Sequence, residues 1–466
     1  MQLYDYQSEA VEKVISQLAN GSSALLAPTG SGKTIVACTI AKRMNRRLIV
    51  VAPLGTIPNW QREINIVQAE ALLVVNYELL REGNCRIDGK TTKCPYLQVQ
   101  YRTDTAKGQV IRKFCGYRWT LPPNVLVVFD EAHRGKNGIL TGQTMNSQLI
   151  SSIRSAVNPA QNTGSLLLSA TITDGVESSD VLCYVLGLYK PYEQSAFERW
   201  VKSANVTDMI KLMYLLVPKY ATKMDPGAHL TSTTVKCLQI DAKPEDAARI
   251  EALNREIHNI IQQVTSKGKK VTLVDIIDQW RPLELLKAGI ILPRIDKWVQ
   301  KNYAIAVMCN FTETRERLDE LVRASKIPVS IDHIYGEMSA EAKESARARF
   351  QADQIQLLLV NIRCCSEGIN LKGEKPRRVV VYVGMSGTIT RQAIGRFKRL
   401  GGNMNVKVYL LFVRNSPTEA RLAAIQTKKL DNLQHVGGGL LEMEKLNLED
   451  PPITVDPNID ISDMFD

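Results

Sequence analysis

Two stretches carry residue types and spacings suited to chemistry on a phosphate anhydride. The first is Ala27-Pro28-Thr29-Gly30-Ser31-Gly32-Lys33-Thr34. Gly30 and Gly32 let the backbone curl so that successive N–H groups face one anion. A helix opening near Lys33 adds the positive end of its dipole. Lys33 supplies a cation for the β- and γ-phosphates, and the Thr34 hydroxyl is a Mg²⁺ ligand. Ala27 stands where the strict pattern has a glycine. The second stretch, Val125-Leu126-Val127-Val128-Phe129-Asp130-Glu131-Ala132-His133, is an apolar run ending in two carboxylates. Asp130 is the expected Mg²⁺ ligand, and Glu131 the group that polarises an attacking water. ATP and Mg²⁺ are thus the expected cofactors.

Such a site needs elements that hold loop and carboxylates at one edge of a sheet. The sequence supplies two series of short apolar runs alternating with helical patterns. Ser23–Leu26, Leu48–Ala52, Leu72–Val75, Val125–Phe129 and Ser165–Leu168 form the first series. Ala304–Cys309, Val329–Tyr335, Ile355–Val360, Arg378–Val383 and Val406–Val413 form the second. Runs this short and rich in Val, Ile and Leu read as strands buried on both faces of a parallel sheet. Val36–Met44 and Glu341–Phe350 read as helices between them. The expected fold class is α/β: two doubly wound parallel-sheet lobes, 1–177 and 300–441, with a helical insert and connector at 178–299. Within that insert Glu245–Val264 is strongly helix-forming, with Pro244 at a tolerated helix start. A second, irregular insert at 81–124 interrupts the first lobe and holds nine Lys/Arg against three Asp/Glu.

Charge and composition narrow the partner. The chain carries 59 Lys and Arg against 48 Asp and Glu, a net charge of +11. The segment 442–466 alone holds eight acids and one lysine, so the rest carries +18. A basic body suits a polyanion, and the acidic, proline-containing tail reads as a flexible segment with a protein partner. In the 81–124 insert, Tyr96, Tyr101, Phe114, Tyr117 and Trp119 interleave with Arg102, Lys107, Arg112, Lys113 and Arg118. That mixture either grips nucleic acid or forms a small packing unit with a solvated basic face. Cys85, Cys94 and Cys115 in the same insert lack a C-x-x-C pair and read as core thiols more readily than as zinc ligands. No apolar run is long enough to span a membrane. With no secretory signal, the expected location is the cytoplasm, or the nucleoid or nucleus with the DNA.

Further segments then fall in order. These are Gln7 in Leu3-Tyr4-Asp5-Tyr6-Gln7, Ala52-Pro53-Leu54 through Trp60-Gln61-Arg62-Glu63, Ser169-Ala170-Thr171, Asn310-Phe311-Thr312, Ser366-Glu367-Gly368-Ile369-Asn370-Leu371, and Gln392-Ala393-Ile394-Gly395-Arg396-Phe397-Lys398-Arg399. Together they resemble the superfamily 2 helicases and translocases over about residues 1–430. The wording of Asp130–Asn137, Tyr77-Glu78 and Gln392–Arg399 is most similar to Snf2-like proteins and to branch-migration helicases of the UvsW and RecG kind. The resemblance implies RecA-like lobes that bind ATP between them. It implies that Gln7 reads adenine, that the Trp60 segment touches a strand, and that Gly368 touches nucleotide. Gln392, Arg396 and Arg399 would act at the γ-phosphate, the arginines as fingers, and His133 would couple the acidic motif to its surroundings. The implied activity is ATP-dependent movement on branched DNA with little sequence preference. A duplex-DNA translocase that remodels protein–DNA complexes and an RNA helicase are the alternatives.

If Arg399 is a finger, its contact forms mainly in the transition state. Arg399→Ala should then lower kcat by about 10³-fold or more with little change in nucleotide affinity, measured by phosphate release and equilibrium binding. A variant that only raises KM removes the assignment.

Overall fold

The computed structural model describes residues 2–28, 30–106, 109–135, 144–169, 179–203, 211–212, 214–226, 233–267, 273–366, 371, 373–382, 393–394, 397, 406–416, 418–419 and 441–443. The chain divides into two compact units, with the boundary after Pro226.

In the first unit the strands are β1 (Ser22–Leu26), β2 (Arg47–Ala52), β3 (Ala71–Asn76), β4 (Asn84–Ile87), β5 (Lys90–Lys93), β6 (Leu97–Ala106), β7 (Gln109–Trp119), β8 (Val125–Asp130), β9 (Gly164–Ser169) and β10 (Ala221–Lys223). Six of them make one parallel sheet in the order β10-β1-β9-β8-β2-β3. Alternate residues feed two cores. Ala24, Leu26, Ile49, Val51, Val127 and Phe129 pack on one face, and Leu25, Leu48, Val50, Leu126 and Val128 on the other. Burial on both faces explains why these strands read as unbroken apolar runs rather than alternating ones.

In the second unit the strands are β11 (Thr233–Ile240), β12 (Ala304–Cys309), β13 (Ile331–Ile334), β14 (Leu357–Asn361), β15 (Arg377–Tyr382), β16 (Val406–Val413) and β17 (Leu441–Met443). They form a parallel sheet in the order β13-β14-β12-β15-β16-β11-β17. Its two faces are likewise both buried, by Ala304, Ala306, Leu358 and Val381 on one side and Ile305, Val307, Leu357 and Val380 on the other. All ten expected strands are present, with bounds shifted by three residues at most.

Three expectations need correction. The stretch 178–299 is not one helical insert. β10 joins the first sheet and β11 the second, and the unit boundary lies between them. β10 is only three residues long, and β11 mixes buried Val235 and Leu238 with half-exposed Lys236 and Gln239, so neither shows a continuous apolar run. The expected helix is there as Pro244–Lys267, beside a second at Leu273–Ile290. Secondly, the irregular insert 81–124 is regular: β4–β5 and β6–β7 are two antiparallel hairpins. Thirdly, Glu442 and Met443 belong to β17, which pairs with β11, and not to the tail. The tail from 444 onward lies outside the described residues.

One buried ion pair organises the approach to β15. Arg377 is fully buried, and its Nη2 lies 2.6 Å from Asp353 Oδ1 and donates to the Phe350 carbonyl at 2.9 Å. Asp353 Oδ2 accepts the Glu374 and Lys375 N–H groups at 3.1 and 3.0 Å. Asp353→Ala leaves the guanidinium buried without its counter-charge, and should cost about 3–5 kcal/mol. Denaturant titration followed at the second unit checks this, and a destabilisation below about 1 kcal/mol would contradict it.

Candidate active site

The loop after β1 and the carboxylates after β8 lie at the carboxyl edge of the same sheet, where open α/β sheets bind ligands. Gly30 and Gly32 both adopt left-handed backbone, with φ of 82° and 88°. A Cβ on Gly32 would meet Gln7 Nε2 at 2.3 Å, so a side chain there would be strained by the backbone and would push Gln7 out of its place. Gly32 caps the helix Lys33–Arg43, whose first N–H groups are left for a ligand. Lys33 is buried, and its ammonium donates to the Ala27 and Pro28 carbonyls at 2.9 and 3.2 Å. The cation is therefore held inside the loop, where phosphate oxygens can replace the carbonyls. Thr34 follows it on the first helical turn, and Thr29 lies outside the described residues.

Gln7 is buried and braces this loop. Its Nε2 donates to the Ser31 carbonyl at 3.0 Å, and its Oε1 accepts the Tyr4 N–H at 3.1 Å. The Tyr6 hydroxyl donates to the same Ser31 carbonyl at 3.1 Å, and the Ser31 hydroxyl donates to the Pro28 carbonyl at 2.7 Å. The residue expected to read adenine thus has a structural task as well.

Asp130 is buried at the end of β8. Its Oδ2 accepts the Trp60 indole N–H at 2.9 Å, and its Oδ1 accepts the Glu131 N–H at 3.0 Å. Each oxygen keeps acceptor capacity, as a cation ligand requires. Burial, reinforced by the Glu131 charge, pushes the Asp130 carboxyl up to about 6, against the opposing pull of Trp60 and Lys33. Asp130 therefore feels the loop lysine and its own neighbour together. The Tyr77 hydroxyl donates to the Asp130 carbonyl at 2.9 Å.

Glu131 has a left-handed backbone, φ 51°, a conformation that costs a non-glycine residue roughly 1–3 kcal/mol. That turn brings its Oε2 to 3.4 Å from His133 Nδ1, which is also 3.1 Å from Ser169 Oγ. His133 thus bridges the acidic motif and the end of β9. Ala170 and Thr171 lie outside the described residues, as do Gly368, Gln392, Arg396 and Arg399.

Within the segment expected to touch a strand, Trp60 takes a different part. It is fully buried and holds Asp130, so it is unavailable to a strand, while Leu54 from the same segment is exposed. Tyr77 was legible only as part of a resemblance. Neither role has a sequence signal, because each depends on a contact between distant residues. Among the described residues, no group of three or more His, Cys, Asp or Glu side chains could hold a metal ion. Cys85 and Cys94 are buried in the core and Cys115 is exposed.

Comparisons with known proteins find matches in two separate stretches of the chain. Residues 1–174 match the family described as Type III restriction enzyme, res subunit, and residues 287–401 match the helicase conserved C-terminal domain. Together these two matches support an assignment to the superfamily 2 helicases. Such an assignment implies ATP use. A protein of Acanthamoeba polyphaga mimivirus named "Putative ATP-dependent RNA helicase" is 23% identical over 96% of this chain and 86% of its own length. Chromodomain-helicase-DNA-binding protein 7 of Gallus gallus is 30% identical over 29% of this chain and 5% of its own. The SWI2/SNF2 ATPase core of Sulfolobus solfataricus in complex with dsDNA aligns over 95% of this chain and 98% of its own, at 14% identity and a TM-score of 0.34. No helix among the described residues is long and apolar enough to cross a membrane.

If Asp130 holds Mg²⁺, its raised carboxyl, at about 6, makes protons compete with the ion as pH falls. The Mg²⁺ concentration that half-saturates hydrolysis should rise about tenfold per pH unit below about 6. Trp60→Phe removes a donor to the ionised form and should move this limb to higher pH. Mg²⁺ titrations of phosphate release at several pH values measure it, and an unmoved limb in Trp60→Phe would show that the indole does not act on Asp130.

Proposed function

We propose that this protein is an ATP-driven translocase on double-stranded, branched DNA. Within the nucleotide site, the loop 27–34 holds the phosphates, with Lys33 on the β- and γ-groups. Thr34 and Asp130 hold Mg²⁺, which would neutralise charge developing on the phosphates. Glu131, oriented by its strained turn, accepts the proton of the attacking water. Gln7 fixes the loop and meets the adenine edge. Gly368, Gln392, Arg396 and Arg399 complete the site as the resemblance implies.

The observation that supports a nucleic-acid track is the outer face of the β6–β7 hairpin. Val99, Phe114 and Tyr117 turn inward against the core. The other face shows exposed Gln98, Gln100, Arg102, Lys113 and Arg118. Arg102 and Lys113 are direct cross-strand partners. Side by side, they add to the basic charge this face offers a polyanion. Arg112 has no described side chain.

Branched DNA follows from energetics. Branch migration forms a base pair for each one broken, whereas plain unwinding must overcome roughly 1.4 kcal/mol of stacking per step. Each step of the first is close to neutral in free energy, so a motor need only bias its direction. An RNA track is the second reading, and the name of the mimivirus relative favours it.

ATPase stimulation by single-stranded, duplex, forked and four-way DNA and by RNA decides between the readings, and stronger stimulation by RNA overturns the DNA reading. Changing Arg112, Lys113 and Arg118 to glutamate should weaken binding and flatten its salt dependence, by about one unit of log–log slope for each phosphate no longer neutralised. An unchanged slope would make the hairpin a packing unit only.

A further inference from the structure

Two thiols in the 81–124 insert have no place in the hydrolysis chemistry. Cys85 lies on β4 and Cys94 directly follows β5, and both are buried, at 0% and 6% exposure. The hairpin register puts Cys85 opposite Thr92, and Cys85 Sγ is 3.7 Å from Thr92 Oγ1, so the two side chains share one face. Residues two apart on a strand point the same way, which places Cys94 on that face too, diagonally across from Cys85. The Cys94 N–H donates to the Gly83 carbonyl at 2.9 Å, which extends the ladder by one pair. Gly83 has φ 71°, a left-handed value that favours glycine. It puts no side chain across the ladder from Cys94, and the Cys94 thiol hydrogen-bonds to Cys85 instead.

Burial pushes the Cys94 thiol up to about 11, and the charge and hydrogen bond of Cys85 add to the rise against the pull of the Tyr96 backbone. The thiolate is the nucleophile, so the closed hairpin reacts slowly. β4 and β5 form a two-stranded sheet of four residues each, and every residue of β5 is exposed. A hairpin of two strands is marginal by itself, and local opening brings both thiols to water. A disulfide needs Cα atoms within about 7 Å, and diagonal partners in a hairpin sit near that limit. A small shift of this short hairpin is enough to close the bond.

We propose that Cys85 and Cys94 are a redox-active dithiol, oxidised to a disulfide by small-molecule disulfides of the glutathione type. In the opened hairpin one cysteine loses its proton to water, and its thiolate attacks a sulfur of the oxidant. The S–S bond of the oxidant breaks, and one half leaves as a thiolate. The second cysteine, also deprotonated, attacks the first cysteine's sulfur in the mixed disulfide and expels the other half. Cys85 and Cys94 lose two hydrogens in total, and the oxidant is reduced to two thiols. The bond clips β4 to the end of β5 at the root of the basic hairpin. A Cβ on Gly83 would come within 2.9 Å of Val99 on β6, and the Tyr117 hydroxyl on β7 donates to the Arg81 carbonyl at 3.2 Å. The dithiol is independent of any nucleic-acid track.

The full chain carrying Cys115→Ser, which removes the exposed thiol of the insert, is incubated with oxidised glutathione. The monomer is then alkylated, digested with trypsin and weighed by mass spectrometry. Cleavage after Arg81, Arg86, Lys93 and Arg102 leaves Cys85 in 82–86 and Cys94 in 94–102. These two peptides should be recovered joined, two hydrogens lighter than their sum. Hydrogen exchange at the β4 and β5 amides should slow about tenfold or more on oxidation, because the closed loop resists opening. In Cys94→Ser, where Cys85 has no partner thiol, that slowing should vanish. Peptides that stay separate, carrying alkyl groups or glutathione, overturn the proposal. So does a slowing of exchange that persists in Cys94→Ser.

Discussion

The indole N–H of Trp60 on the Asp130 carboxylate is the contact on which the first unit's chemistry depends. A carboxylate at the end of a buried central strand is costly unless each oxygen has a partner. Trp60 and the Glu131 amide supply those partners from opposite directions in the chain. They fix the carboxylate without consuming all its lone pairs. The left-handed turn at Glu131 follows from the same arrangement, since the Glu131 N–H points back at Asp130 while its side chain faces His133. Backbone strain at that residue persists because β8, the Tyr77 hydroxyl and the His133–Ser169 bond hold it from three sides.

The second unit uses the same economy with different residues. Its sheet is parallel and buried on both faces, so charged side chains near it must be paired. Arg377 meets Asp353, Lys287 meets Glu419, and Glu284 meets the Asn310 turn. Two of these groups, Glu284 and Lys287, come from one helix at i and i+3 and share its buried face. The helices Pro244–Lys267 and Leu273–Ile290 therefore do more than connect. The second of them carries Glu284 and Lys287, whose pairings tie it to the Asn310 turn and to Glu419.

How much of this was legible in the sequence divides along physical lines. The phosphate loop, the acidic pair and all ten expected strands were readable because each depends on local pattern. Gly30 and Gly32 are needed wherever the backbone must turn left-handed, and a strand buried on both faces is apolar throughout. β10 and β11 escaped, since a three-residue strand and a half-exposed one have no such signature. The regularity of the 81–124 insert was hidden for a related reason: its β6–β7 hairpin alternates a core face with a basic face, and charge obscured the period-two pattern.

The sequence by itself determined the chemistry available: which residues carry phosphate-binding amides, a cation, carboxylates and basic charge, and in what order. Only the tertiary structure decided who holds whom. Trp60 and Asp130 are 70 residues apart, and Gln7 and Ser31 are 24 apart. Glu284 and Asn310 are 26 apart, on different elements. No periodicity or motif encodes such a pairing, because its free energy comes from excluding water around two polar groups that meet only once the sheets have formed.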